Sequence, residues 1–157
     1  MTYNEGRLGM IDRKITGWMA RNGIKLLRWS VGIIFLWFGV LKFFKGMSPA
    51  ESLAIETIQY LTFDIVSSKT IIYGLAIWES LIGLGLIINR FLRETLLLLY
   101  LQMLGTLTPI FLFPDEVFNI IPYALTIEGQ YIIKNLVIIS AGIVIGSTVR
   151  GARIETK

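Results

Sequence analysis

Four long apolar stretches, separated by segments that are richer in polar and charged residues, dominate the chain of 157 residues. They cover residues 26–44, 70–88, 92–113 and 131–149, and each is close to the roughly 20 residues that a membrane-spanning helix needs. The stretches leave no room for a separate soluble domain. The pattern therefore predicts an all-α fold in which residues 1–157 form one membrane domain, a bundle of four transmembrane helices.

The segment before the first stretch has a helical pattern of its own. Within residues 1–23, apolar residues recur at helical spacing with basic residues between or just after them; the apolar residues are Leu8, Ile11, Ile15, Trp18 and Met19. Such a pattern is typical of an amphipathic helix that lies on a membrane surface. A frayed tail that carries a few apolar residues would also fit.

The two loops on the opposite side of the membrane are expected to be partly structured. In residues 45–69, Ser48, Pro49 and Glu51 have the spacing of a capping box, which predicts a short interfacial helix. Residues 114–130 contain two prolines, Pro114 and Pro122, but are otherwise still apolar. We expect this second loop to dip into the interface or to fold over the mouth of the bundle.

The distribution of charge predicts the orientation. Most Lys and Arg residues fall on one side of a four-span topology, and the positive-inside rule places that side in the cytoplasm. They are Arg7, Arg13, Lys14, Arg21, Lys25, Arg28, Arg90, Arg93, Arg150, Arg153 and Lys157. Both termini are therefore predicted to be cytoplasmic. The net charge of +4 is then a consequence of topology, and no nucleic-acid partner is expected.

The chain contains no cysteine and no histidine. This excludes disulfides, thiol redox chemistry, thiolate or imidazole metal ligands, and Ser-His or Cys-His catalysis. Neither a catalytic residue nor a metal site is predicted, and no covalently bound cofactor is expected.

The strongest candidate for a functional group is a glutamate inside an apolar stretch. Glu79 lies near the middle of residues 70–88, where a charged side chain is costly and usually functional. Because side chains lean toward the amino end of their own helix, Lys42 and Glu79 lean toward each other. Gln102 lies at a similar depth, so we expect Lys42 and Gln102 to hold Glu79. The alternatives are a cluster that only fixes the register of the bundle, or a protonated and merely hydrogen-bonded Glu79.

Three further residues are candidates for ligand binding or proton relay. Trp78 is next to Glu79 and could form one wall of a pocket for a flat apolar ligand such as a quinone, although it could also simply face lipid. Arg28 shares a face with Lys42, and Lys134 is expected to lean toward Asp115, Glu128 or lipid headgroups. Small residues are favoured where membrane helices touch. The glycines assigned to helix packing are Gly32, Gly39, Gly83, Gly105, Gly142 and Gly146.

Three segments resemble a known family. RWSVGIIFLWFGVLKFF and WESLIGLGLI are similar to the first and second spans of the DoxX-like superfamily, and LTIEGQYIIKNLVIISAGIVI resembles the last span of its YkgB-like branch, the reactive-chlorine-resistance membrane proteins. The resemblance covers roughly residues 20–150. It implies a four-helix protein of the bacterial inner membrane, linked to oxidative or reactive-chlorine stress and to quinone-linked oxidation. The matching positions are Arg28, Gly39, Lys42, Glu79, Gly83, Gly129, Tyr131 and Lys134.

Three functions remain open at this point. The first is a non-catalytic component or accessory subunit of a quinone-linked or oxidative-stress system, which binds a quinone, another lipid or a membrane partner. The second is a proton- or solute-conducting oligomer with Glu79 as relay; it ranks lower because no paired broken helices are visible. The third is an enzyme that uses Asp115, Glu116 and Glu128. The lipid bilayer and a homo-oligomer or membrane complex are the expected partners.

Overall fold

A computed structural model of the protein describes residues 7–48 and 50–149, and most of these residues are helical. The elements are α1 (Arg7–Leu41), α2 (Glu51–Leu61), α3 (Ser68–Ile88), α4 (Leu92–Leu107), α5 (Pro109–Leu112), α6 (Pro114–Val117), β1 (Phe118–Ile120), β2 (Ala124–Leu125) and α7 (Ile127–Ser147). Four helical stretches are long and apolar enough to cross a membrane: Gly9–Leu41, Ser68–Ile88, Leu92–Leu112 and Ile127–Ser147. The all-α four-helix bundle is confirmed, and the chain is a multi-pass membrane protein.

The bundle has two different ends. The amino half of α1, the 89–91 connection and the carboxyl end of α7 lie at the tail end. At the loop end lie α2, α5, α6 and a two-stranded antiparallel hairpin of β1 and β2. The hairpin was not predicted, because it has only five strand residues in a segment with continuous apolar character.

The core runs along the axis of the bundle, and all four spans contribute to it. Its buried residues are Val31, Phe35, Ile82, Leu86, Leu96, Leu99, Met103, Ala141 and Ile145. A second, smaller cluster of Leu53, Val117 and Ile132 joins α2, α6 and α7. This second cluster closes the loop end of the bundle.

The first span differs from the prediction at both ends. Residues 1–23 were expected to hold a separate amphipathic helix, but from Arg7 onward the helix continues without a break to Leu41; residues 1–6 lie outside the described part of the chain. Gly23 alone does not stop a helix, since glycine costs only about 1 kcal/mol in a helix interior. The span was expected to reach residue 44, but Lys42 already lies in a turn, where its backbone N–H donates to Gly39 O over 3.3 Å.

Three other boundaries also moved. Pro109 divides the span predicted for residues 92–113, because proline has no N–H and clashes with the preceding helical turn. The last span begins at Ile127 rather than at residue 131, because the Thr126 side chain caps the helix by accepting from Gly129 N over 3.0 Å. The cap of α2 is Ala50, in a left-handed conformation (φ 53°), and not Ser48; Pro49 lies outside the described residues.

Candidate functional site

Glu79, Lys42 and Gln102 come together inside the bundle, and we call them the polar cluster. Lys42 Nζ is 2.7 Å from Glu79 Oε2, and Gln102 Nε2 donates to Glu79 Oε1 over 3.0 Å. Only 10% of the Lys42 side chain and 11% of the Glu79 side chain are exposed. The predicted contacts are therefore confirmed, and each carboxylate oxygen of Glu79 has its own donor.

The helix geometry places this cluster far from both ends of the bundle. Glu79 comes eleven residues after Ser68, the first residue of α3, which is about 16 Å at 1.5 Å per residue. Gly39 contacts α3 at Ala76 and Ser80, so α1 ends about eight residues, or about 12 Å, before the loop end of α3. Lys42 follows this early helix end, and its side chain extends from the loop side of the cluster to contact Glu79.

Glycines allow α1 and α3 to approach closely enough for this contact. A methyl group on Gly83 would lie 2.5 Å from Leu36 N and 2.8 Å from Gly32 O, and one on Gly39 would lie 2.7 Å from Ser80 N. These neighbours are backbone atoms, which cannot rotate away. The prediction that Gly32, Gly39 and Gly83 line a helix contact is confirmed.

The remaining predicted glycines behave differently from one another. Gly142 faces the Tyr100 ring, whose hydroxyl oxygen is 3.2 Å from the place that an added methyl group would take, and Gly146 lies at ordinary contact distance, 3.4 Å, from Leu96. Gly105 is exposed, and no atom of the described chain lies within 4 Å of where its methyl would be. Its assignment to helix packing was wrong, because the buried face of α4 is formed by Thr95, Leu96, Leu99, Gln102 and Met103.

Arg28 does not belong to the polar cluster. It precedes Lys42 by fourteen residues, about 21 Å along α1. Its Nη1 donates to the carbonyls of Leu86 and Ile87, the latter over 3.3 Å. These carbonyls end α3 without a further helical turn, so Arg28 caps the negative end of the helix dipole. The structure therefore places Arg28 apart from Glu79 and Lys42, and its role in ligand binding or relay stays a prediction.

Trp78 and Lys134 also lie outside the cluster. Trp78 Nε1 donates to Leu98 O over 3.1 Å, and the half-buried ring packs against the main core, so this residue ties α3 to α4. Lys134 is exposed and stands over the Tyr131 ring, with Nζ 5.5 Å from the centroid. Gly129 is buried, and Lys134 lies five residues later, about 140° around α7. The long side chain of Lys134 therefore points away from the bundle axis.

Two features of the bundle interior went beyond the candidate list. Asn135 Nδ2 donates to Thr106 Oγ1 over 3.2 Å, a polar tie between α7 and α4. Ser80 Oγ is buried and has no hydrogen-bond partner among the described residues. The serine was overlooked because a hydroxyl next to a glutamate carries no distinctive sequence signal.

The chemistry open to the polar cluster is binding and charge pairing. Lysine has three N–H donors, and Glu79 Oε2 takes one of those on Lys42. Among residues 7–48 and 50–149, no group of three or more acidic residues is placed to hold a metal ion. An open groove of about 460 Å³ lies elsewhere, between α4 and α7 at the tail end, where Arg93 and Tyr100 line it.

The fold and the site together define a multi-pass membrane protein with a buried, mid-span ion pair. Comparisons of the chain with protein-family models, with curated proteins and with solved structures find no match in any of the three. The DoxX-like resemblance rests on the sequence segments alone.

Proposed function

We propose that the chain is a non-catalytic component of the bacterial inner membrane, of the DoxX-like and YkgB-like type, that binds a quinone or similar lipid-like ligand at the polar cluster. The observation that carries this proposal is the 2.7 Å contact between Lys42 and Glu79 about 16 Å from the loop end of α3. Ionisable residues at such depth are costly and are retained mainly at functional sites.

The geometry of the cluster suits a ligand with a carbonyl oxygen on an apolar body. Lys42 keeps two N–H donors beyond the one that Glu79 takes, and about a tenth of its side chain is exposed. Gln102 fixes the second oxygen of Glu79, so the carboxylate holds the ammonium in place. A ligand carbonyl that reaches Lys42 accepts a hydrogen bond from an ammonium whose charge is already balanced.

The setting follows from the charges and from the resemblance. The tail end carries most of the basic residues, which supports cytoplasmic termini under the positive-inside rule. The absence of cysteine and histidine favours binding over redox catalysis. We therefore assign the chain an accessory role in a quinone-linked or oxidative-stress system, as a homo-oligomer or within a membrane complex.

The test is native mass spectrometry of the protein extracted from its own membrane in mild detergent. We expect a bound quinone that is lost in Glu79→Gln and in Lys42→Met but kept in Lys134→Met, an exposed lysine outside the cluster. Circular dichroism and gel filtration show which variants are folded, and Lys42→Arg keeps the charge should Lys42→Met fail to fold. A folded wild-type protein without any lipid-like ligand would refute the proposal.

One observation favours a second candidate, a proton or solute pathway. Discontinuous helices often form the sites of transporters, and here a single turn residue, Thr108, separates α4 from α5 just before Pro109. The sequence had indicated only Pro109. This candidate predicts flux into proteoliposomes that Glu79→Gln abolishes, whereas a ligand-binding component gives no flux.

A further inference from the structure

The amino half of α1 extends well beyond the bundle. Arg28 meets the last turn of α3 through Leu86 and Ile87, so residues 9–26 continue past the tail end of that helix. These 18 residues are about 27 Å long at 1.5 Å per residue. We call them the arm.

The arm carries an exposed apolar stripe. Ile11, Ile15, Trp18 and Met19 are each about half exposed, at 53%, 49%, 51% and 58%, and Leu26 is 44% exposed. At 3.6 residues per turn these five side chains fall within an arc of about 100°. Large apolar side chains at such exposure are expected to contact an apolar partner, which the described part of the bundle does not provide.

The stripe continues the face of α1 that points away from the bundle. Within the span, Trp29, Ile33, Trp37 and Val40 are exposed and fall in the same arc by helical geometry. Gly32 and Gly39, which touch α3, lie outside this arc, about 40–60° from one of its edges by helical geometry. One continuous side of α1 therefore faces lipid tails in the span and is mainly apolar along the arm, where Asn22 is the polar residue within the arc.

Basic residues border this stripe. Lys14, Arg21 and Lys25 are exposed and lie along one edge of the apolar arc, about 20–60° from it by helical geometry. An apolar stripe edged by lysine and arginine is the arrangement of helices that lie in the headgroup region of anionic membranes. Because α1 is one unbroken helix, the arm must bend away from the span to bring its stripe to the bilayer surface, and Gly17 and Gly23, which lower helix propensity, are the positions for such a bend.

We propose that the arm binds the surface of an anionic bilayer, with its stripe in the boundary between headgroups and acyl chains and with Lys14, Arg21 and Lys25 on lipid phosphates. A second copy of the chain is the competing occupant of the stripe. It fits less well, because membrane helix contacts favour small residues, whereas the stripe is formed by large side chains.

The chain has no cysteine, so one introduced cysteine carries a unique spin label. The full-length protein with Ile15→Cys, on the stripe, or Ala20→Cys, on the opposite side, is reconstituted into bilayers of phosphatidylcholine with or without phosphatidylglycerol. We expect the label at position 15 to be reached by oxygen and shielded from a water-soluble nickel reagent, and the label at position 20 to show the reverse. The ratio of immobilised to mobile label at position 15 should rise with anionic lipid.

Charge removal supplies the control. Lys14→Gln with Arg21→Gln should lower that ratio about 30-fold in anionic bilayers, since each basic residue contributes about fivefold near such a surface. Lys45→Gln with Lys69→Gln, at the loop end, should leave it unchanged. Equal nickel access at positions 15 and 20 would overturn the proposal. So would spin–spin broadening at position 15 that grows with protein density and ignores lipid charge, because that result identifies a second copy as the occupant.

Discussion

Replacing Gly83 by alanine tests whether close contact between α1 and α3 creates the polar cluster. The added methyl would lie 2.5 Å from Leu36 N, about 0.9 Å closer than the 3.4 Å at which ordinary contacts begin. Because the atoms on both sides of this clash belong to the backbone, it can be relieved only if the two helices move apart by about 1 Å. Such a shift would stretch the 2.7 Å contact of Lys42 and Glu79 beyond hydrogen-bonding distance.

Gly105→Ala is the matched control, because Gly105 is also helical and has open space around it. Both substitutions gain the same helix propensity, so the difference between them isolates the clash, which should lower the free energy of unfolding by about 1–3 kcal/mol. Unfolding of the purified protein in mixed micelles of increasing dodecyl sulfate content, followed by circular dichroism, measures it. If Gly83→Ala unfolds at the same midpoint as Gly105→Ala, the close-contact argument is wrong.

Three further single substitutions and one double variant test the separate roles of the polar groups. Glu79→Gln and Lys42→Met should each cost about 3–5 kcal/mol, since either leaves a buried partner unpaired, and the double variant should unfold close to the wild type; costs that simply add would contradict the pairing. Arg28→Met should cost about 1.5–3 kcal/mol through its lost bonds to Leu86 and Ile87. The proposed ligand should stay bound in native mass spectra, and its loss would show that Arg28 and the polar cluster are coupled.

The contacts of Glu79 could be predicted because depth and side-chain direction follow from helix geometry alone. Lys42 and Gln102 are the long polar side chains that this geometry brings to the level of Glu79, and a carboxylate in an apolar span requires such partners. The sequence predicts contacts best for polar groups of this kind, because an apolar span offers them few other partners.

The partners of Arg28 and Trp78 could not be predicted for a different reason. Both side chains donate to backbone carbonyls, and every residue has a carbonyl, so the sequence does not single out an acceptor. The early end of α1 escaped prediction because residues 42–44 remain apolar enough to extend the span. Hydropathy records where a segment is apolar but not where its helix stops.

The order of the helices along the chain has a consequence for biosynthesis. Lys42 precedes Glu79, and Gln102 follows it, so when α3 leaves the ribosome the positive partner of its glutamate has already been made. A lone carboxylate at the centre of a span costs about 2.5–3.5 kcal/mol on insertion scales. The helices α1 and α3 contact each other closely at Gly32, Gly39 and Gly83. This pair of helices therefore offers Glu79 a counter-charge before the second half of the protein has been synthesised.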